Sequence, residues 1–285
     1  MTGQTMLIPL KDRNPTHHFP YVTVALIVLN ICLFILQSPF GSERVSFNLW
    51  YRFGFIPELF VNQFDETKYA KSWDNLKSEF WKRPASSRSF REGLREFQAR
   101  TVLMRELERI DRGRLRAEWL TLLTSIFLHG SLWHVLANML FLWVFGNNIE
   151  DACGHAKFLV FYLLCGALAS VAHMFVNIHS PVPTIGASGA ISGVMGAYMV
   201  LYPKARVVTI IPIFYFLWYP IELPAYLYLG YWIVLQVVLG QLSPGLPDLG
   251  GIAWFAHIGG FFAGLFLIFL FKKRGVRSAL HFFED

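Results

Sequence analysis

Three short segments of the sequence carry polar groups that could perform chemistry together. They are HGSLWHVLAN at 129–138, GASGAISG at 186–193 and AHIGGFFAG at 256–264. A serine hydroxyl becomes a nucleophile when a neighbouring base removes its proton, and a neutral imidazole suits that task. The segments therefore predict acyl transfer, with Ser188 as the nucleophile and His257 as the general base.

The first segment could stabilise the negative charge that such an attack places on the carbonyl oxygen. His134 and Asn138 are four residues apart, so on a helix they lie on one face and can donate hydrogen bonds toward one point. Backbone N–H groups at the start of the helix that contains Ser188 would add further donors. These groups are the predicted oxyanion site.

A third catalytic residue that would orient the histidine is not evident in the sequence. Asp248 lies in a loop rich in Pro and Gly, and Glu150 and Asp151 fall on the opposite face of their helix. The sequence therefore predicts a dyad of Ser188 and His257.

The composition is typical of a membrane protein. Of the 285 residues, 54% are hydrophobic and 15% are charged, and the mean hydropathy is +0.43, which exceeds the range of most soluble domains. The net charge of +6 comes without any nucleic-acid-binding motif, so no nucleic-acid partner is predicted. The three cysteines lack the spacing of a disulfide framework or a zinc site, and no metal or cofactor is expected.

Six apolar stretches approach the length of about 20 residues that a spanning helix needs, which predicts an all-α membrane protein with a six-transmembrane bundle. They lie near 20–37, 132–149, 157–176, 185–202, 223–240 and 252–271. The first lacks an A-x-A cleavage signal and is interpreted as a retained span. A further stretch, 207–219, is interrupted by Pro212 and is too short to cross. It predicts an interfacial or re-entrant approach to the fifth span.

The basic residues orient the bundle, because short cytoplasmic loops are enriched in Lys and Arg. With both termini inside, the short outer loops 177–184 and 241–251 contain no basic residue. Nine basic residues then lie inside: Lys11, Arg13, Lys157, Lys204, Arg206, Lys272, Lys273, Arg274 and Arg277. The predicted location is a bacterial plasma membrane, with the site open to the outer face.

In this orientation every even-numbered span begins at the outer face, so the three polar segments lie at one depth. Two small-residue pairs, Gly189-x-x-x-Gly193 and Gly260-x-x-x-Gly264, would let the fourth and sixth helices approach closely. The hydroxyl and the imidazole could then come within hydrogen-bonding distance.

A long charged loop, 40–118, separates the first two spans. Within it, apolar residues at near-helical spacing predict an amphipathic helix near 89–115. This helix could pack on the rest of the loop, or it could lie on the lipid surface. The predicted organisation is a cytoplasmic tail at 1–19, a six-span domain at 20–271 and a second cytoplasmic tail at 272–285.

The motifs together resemble those of the rhomboid intramembrane serine proteases. The matching pieces are HGSLWHVLANMLFLWVFGNNIED, GASGAISGVMGAY and AHIGGFFAG, supported by NPTHHFPYVTVALIVLN near the N-terminus. The resemblance implies the rhomboid type of six-span bundle, with Ser188 and His257 as nucleophile and base. It also implies His134, Asn138 and the Ser188 N–H as oxyanion donors, and His129 at the mouth of the site.

The same resemblance implies substrates that are transmembrane proteins, cut near helix-breaking or small residues at the outer end of a span. Membrane lipids would be the other partners, and no metal or cofactor is implied. Gly186, Gly189 and Gly260 are expected to support the site.

Two departures from the family pattern concern the surroundings of the site. The family often has Trp-Arg where this chain has Trp119-Leu120, and often has an aromatic residue one turn after the nucleophile, where this chain has Ser192. Ser192 could leave His257 less constrained or hydrogen-bond to it. Two alternatives stay open: a catalytically silent relative that binds transmembrane helices, and, less favoured, a transporter with a histidine proton path.

Overall fold

The computed structural model describes residues 7–37, 43–82, 90–113, 118–214, 217–243 and 252–276, which are mostly helical. A short 3₁₀ turn, Ser125–Phe127, follows the helix Glu118–Thr124. The helices are α1 (Tyr21–Gln37), α2 (Glu43–Phe53), α3 (Pro57–Asn62), α4 (Glu66–Lys82), α5 (Phe90–Gly113), α6 (Glu118–Thr124), α7 (Leu132–Cys153), α8 (His155–Val176), α9 (Ser188–Leu201), α10 (Ala225–Leu242) and α11 (Trp254–Phe271).

Several of these helices can cross a membrane. Among the described residues, α8, α10 and α11 are each long and apolar enough to do so. The stretch Glu118–Phe127 and α7 pass the same test together, although a bend of 85° separates them. Helices α1 and α9 are apolar but shorter. The chain is therefore a helical integral membrane protein.

A small antiparallel sheet of three strands pairs the segment before α1 with the segment between α9 and α10. The strands are β1 (Ile8–Asp12), β2 (Arg206–Phe214) and β3 (Leu217–Pro224). Strands β2 and β3 form a hairpin, and β1 pairs with the other edge of β2. The stretch 207–219, predicted as an interfacial or re-entrant approach to the fifth span, falls on this hairpin, and its β-branched residues favour an extended strand. Its position relative to the membrane stays a prediction.

Helix α9 is the buried centre of the bundle. Eleven of its 14 residues are buried, and it packs on α7, α8 and α11. The contact with α11 uses both small-residue pairs. A Cβ on Gly260 would overlap the backbone of Gly189, and a Cβ on Gly264 would overlap the backbone of Gly193. This close approach brings the N-terminal ends of α9 and α11 together.

The helices of the long loop form a second, smaller core. Leu59, Trp73 and Leu107, from three different helices, are at most 1% exposed and belong to one apolar cluster. Helix α5 lies at the position expected for the amphipathic helix, and its Leu107 and Ile110 face this cluster. That contact favours packing on the rest of the loop, although the side chains of 90–99 lie outside the described residues.

This loop is fastened to the segment that leads to Ser188. The backbone N–H of Phe55 donates to the oxygen of Thr184 at 3.1 Å, and the N–H of Thr184 donates to the oxygen of Phe55 at 2.7 Å. The N–H of Glu58 also donates to the oxygen of Ser180 at 3.3 Å. These backbone hydrogen bonds therefore attach the long loop to the connection between α8 and α9.

Polar side chains fasten the chain at the C-terminal end of α9. Asp12 accepts a hydrogen bond from the Tyr198 hydroxyl at 2.5 Å and another from Asn148 Nδ2 at 2.7 Å. Glu150 accepts from the backbone N–H groups of Val22 at 2.9 Å and Thr23 at 2.7 Å. A carboxylate in this position satisfies free amides at the start of α1 and complements the helix dipole.

Candidate active site

Ser188 and His257 lie in direct hydrogen-bond contact. Ser188 is the first residue of α9, and His257 lies in the first turn of α11. The distance from Ser188 Oγ to His257 Nε2 is 2.8 Å. The two residues are brought together by the glycine contacts between their helices, because only small residues permit that approach.

His134 presents a ring N–H toward the same space. The N–H of Gly130 donates to His134 Nδ1 at 3.4 Å, so Nδ1 is unprotonated and Nε2 carries the hydrogen. A Cβ built on Gly186 would lie 2.8 Å from His134 Nε2 and 3.7 Å from Ser188 Oγ. The imidazole and the hydroxyl therefore flank one small volume beside Gly186.

Gly186 has a backbone that other residues rarely adopt. Its φ is +127°, in the region that favours glycine, and its N–H donates to the oxygen of Ser125 at 2.9 Å. A side chain there would collide with the ring of His134. The residue therefore lets the chain pass beside His134 immediately before the nucleophile.

Asn138 holds an unsatisfied donor on the helix of His134. It lies one turn after His134 on α7 and is 7% exposed, and its Nδ2 has no hydrogen-bond partner among the described residues. A buried amide left without a partner costs free energy, so such groups call for an explanation. Donation to a bound group at this site would provide one.

His129 packs against the ring of His134. It is fully buried, and its ring centroid lies 5.1 Å from that of His134 in an edge-to-face contact. The amide of Gln37 at the end of α1 bonds both backbone groups of His129, accepting from its N–H at 3.1 Å and donating to its oxygen. Sequence reasoning missed Gln37, because its partner lies 92 residues away.

The other side of His257 contacts α10, which sequence reasoning also missed. His257 Nδ1 lies 2.7 Å from Gln236 Oε1. The ring of Trp232 lies 5.9 Å from the imidazole, centroid to centroid, at an interplanar angle of 39°. The sequence signal that could have indicated this contact is Gln236 itself, a polar amide in an otherwise apolar span, one turn after Trp232.

Ser192 does not hydrogen-bond to His257. Its hydroxyl donates to the backbone oxygen of Ser188 at 2.6 Å, a common arrangement for a serine within a helix. Of the two alternatives for Ser192, the hydrogen bond to the imidazole is therefore wrong, and Trp232 provides an aromatic contact to His257 in its place.

Two of the three acidic candidates form hydrogen bonds near the start of α1. Asp248 lies outside the described residues. Asp151 accepts from the backbone N–H of His17 at 2.8 Å, and Glu150 caps α1. The three cysteines are free thiols, and the described residues hold no group of three or more His, Cys, Asp or Glu that could bind a metal ion.

A small cavity opens beside the Ser188 hydroxyl. Half of its walls are built of residues with little or no side chain: Gly166, Ala169, Gly186, Gly189, Ala190, Ala253 and Ala256. Ser188, Ser125, Ser170, Thr184, Ile126 and Ile185 complete the lining. The cavity is therefore small and suits a small side chain placed next to Ser188.

A family model described as the Rhomboid domain matches residues 116–274, over half of the chain. The chain belongs to the rhomboid family. The range that matches the rhomboid model includes Ser188, His257, His134 and Asn138, whereas helices α2 to α5 of the long loop precede it.

Several rhomboid proteins are similar to parts of this chain. The sequence identity to Rhomboid protease GluP of Bacillus subtilis is 42% over 84 residues, 30% of this chain and 16% of that protein. For Rhomboid protein 1, mitochondrial, of Saccharomyces cerevisiae it is 27% over 151 residues, 51% and 40% of the two chains. For the human Presenilin-associated rhomboid-like protein, mitochondrial, it is 36% over 102 residues, 33% and 26%. The aligned segments span less than half of each relative.

Proposed function

We propose that this rhomboid protein is a serine endopeptidase that cuts transmembrane proteins in or near their spans. The observation that carries the proposal is the 2.8 Å contact between Ser188 Oγ and His257 Nε2 at the meeting point of two apolar helices. A hydroxyl next to an unprotonated imidazole nitrogen is the arrangement that generates a nucleophile at neutral pH.

The first half of the reaction forms an acyl-enzyme. His257 Nε2 takes the Ser188 proton as Oγ bonds to the substrate carbonyl carbon, and the carbonyl oxygen becomes an oxyanion. The His134 Nε2–H, the Asn138 amide and the Ser188 backbone N–H donate to that oxyanion. The C–N bond then breaks as protonated His257 gives its proton to the departing amine.

The second half releases the acyl group by hydrolysis. His257 removes a proton from a water molecule, whose oxygen bonds to the acyl carbon. The tetrahedral intermediate collapses with loss of Ser188 Oγ, which recovers its proton from His257. The products are a new carboxyl terminus and a new amino terminus, and the dyad is restored.

The walls of the cavity support a preference for substrates with small residues at the cleavage site. Glycine and alanine line the space beside Ser188, and a large side chain would have to displace the backbone of α9 or of the loop before it. Because both dyad residues belong to apolar helices, the natural substrates are transmembrane segments that reach the site through lipid.

The proposed arrangement has six spans, with α1 and the shorter α9 crossing as well as the four candidate spans. Both termini then face the cytoplasm of a bacterial plasma membrane, and the dyad opens toward the outer face. The buried position of α9 supports this count, because a helix enclosed by other helices needs less length than one that faces lipid.

Purified protein in liposomes with a labelled transmembrane substrate tests the proposal. The wild type is expected to cut the substrate, whereas Ser188→Ala and His257→Ala should each abolish cleavage, because the two side chains act as one unit. Ser72→Ala is the matched control, since it removes a buried hydroxyl in the loop core. Binding of substrate without cleavage by the wild type would instead support the catalytically silent alternative.

A further inference from the structure

The Nδ1 side of His257 is occupied by a single polar side chain of α10. Gln236 is 1% exposed, and its Oε1 lies 2.7 Å from Nδ1. The opposite ring nitrogen is the one that lies 2.8 Å from Ser188 Oγ. The imidazole is therefore held at both nitrogens, once by the nucleophile and once by an amide.

The two contacts depend on each other through the tautomer of the ring. A neutral imidazole carries one hydrogen, so Nε2 can accept the serine proton only when the hydrogen is on Nδ1. An oxygen acceptor facing Nδ1 stabilises that tautomer and also fixes the direction of the ring. An amide oxygen can accept this N–H without bringing a charge into an apolar helix, where a carboxylate would be costly.

Helix α10 contacts the imidazole at two points that are one turn apart. Trp232 and Gln236 are four residues apart and share a face. Trp232 is 7% exposed and packs its ring beside the imidazole at 5.9 Å. Because a buried amide in an apolar span costs free energy unless it is hydrogen-bonded, the bond to His257 accounts for Gln236 at this position.

We propose that Gln236 is a positioning residue for the base: its amide oxygen accepts the Nδ1–H of His257 and keeps Nε2 free to receive the proton of Ser188. This inference rests on the proposed peptidase function. It adds a neutral orienting residue to the dyad of Ser188 and His257 that the sequence predicts.

Replacement by methionine tests the role, because Gln236→Met keeps the length of the side chain and removes the acceptor. We expect kcat to fall about 10- to 100-fold with little change in KM, since orientation of a general base acts on the chemical step. Gln236→Glu retains an oxygen at the same reach and should recover most of this loss. Gln241→Met, an exposed amide on the same helix, is the matched control and should retain the wild-type rate.

Nitrogen-15 NMR of labelled histidine supplies a readout that does not depend on activity. The His257 signals, assigned by their loss in His257→Asn, should report hydrogen on Nδ1 in the wild type and in Ser188→Ala. In Gln236→Met they should report a mixture of the two tautomers.

A wild-type kcat in Gln236→Met, or a wild-type ring with its hydrogen on Nε2, would overturn the inference. So would a loss of rate that Gln236→Glu does not recover while the Nδ1–H tautomer persists, because that result would indicate packing alone. Full cleavage by Ser188→Ala would instead remove the proposed function, so the two failures are distinguishable.

Discussion

Asn138 is the residue whose contribution can be separated most cleanly from that of the nucleophile. Its buried Nδ2 has no partner among the described residues, and in Asn138→Ala the His134 and backbone donors remain. We expect kcat for cleavage to fall about ten- to a thousandfold, because one oxyanion donor is lost. Asn30→Ala is the control, since it removes a buried amide that bonds only within α1, to the oxygen of Leu26. Equal rates in both variants would show that Asn138 is not a donor in the reaction.

At this scale the sequence could predict the residues that share a short motif but not those that meet them across the fold. His134 and Asn138 follow from helical spacing, and Ser188 and His257 from their types and their flanking glycines. Gln236 lies 21 residues from His257 and belongs to an apolar run with no motif. Its partner is decided by how α10 packs on α11, which spacing alone does not determine.

The contact between α9 and α11 is the element on which the site depends. In Gly264→Ala a methyl group would press on the backbone of Gly193, and overpacking of this kind costs about 1–3 kcal/mol. We expect a lower melting temperature in detergent and a reduced cleavage rate, because the ends of the two helices separate. Gly230→Ala on α10 is the matched control, since no atom lies within 4 Å of the added methyl. If Gly264→Ala, Gly230→Ala and the wild type all have the same melting temperature, the contact does not hold the helices together.

Asp12, the last residue of β1, should make the stability of the protein depend on pH. Burial raises the pKa of Asp12 above its usual 3.8, although hydrogen bonds from Tyr198 and Asn148 oppose this. A raised folded-state pKa stabilises the protein fully below pH 3.8, and that stabilisation is lost as pH rises through the folded value. The melting temperature of the wild type relative to Asp12→Asn should therefore fall as the pH rises from 3.8 through the raised folded-state pKa of Asp12. A constant difference across this range would contradict the assignment.

The sheet shows why the secondary structure of one segment could not be predicted from the sequence. The run VVTIIPI at 207–213 is β-branched and broken by proline, which fits a strand as well as an interfacial segment. The strand pairs with β1, about 200 residues earlier, through contacts such as Ile8 with Ile210. A partner at that distance leaves no local signal.

The topology of the whole molecule gives a prediction that the mechanism requires. In the proposed six-span arrangement the hairpin of β2 and β3 lies on one side of the membrane, so α9 and α11 would begin on the same, opposite side. Single cysteines replacing Lys204 and Glu222 should be labelled by an impermeant thiol reagent from the cytoplasmic side. Cysteines replacing Pro181 and Asp248 should be labelled from the outside. Labelling of Lys204 and Glu222 from opposite sides would mean a seventh crossing, which would place Ser188 and His257 at opposite faces.

The long loop between the first two predicted spans is the part of the molecule that the sequence explains least. Its charged composition indicated an amphipathic helix but not the core around Trp73, nor the backbone pairing of Phe55 with Thr184. The match to the rhomboid model begins at residue 116. The family motifs therefore do not predict the structure of this loop, which depends on contacts among its own helices.

Covalent labelling tests the central claim, an activated Ser188, most directly and without a choice of substrate. A fluorophosphonate reacts with an activated serine when Oγ bonds to phosphorus and fluoride leaves. Mass spectrometry of the folded wild type is expected to find the adduct on Ser188, with none in Ser188→Ala and a strongly reduced amount in His257→Ala. An unlabelled Ser188 in the folded wild type, or equal labelling of Ser188 in His257→Ala, would contradict the claim that the histidine activates this serine.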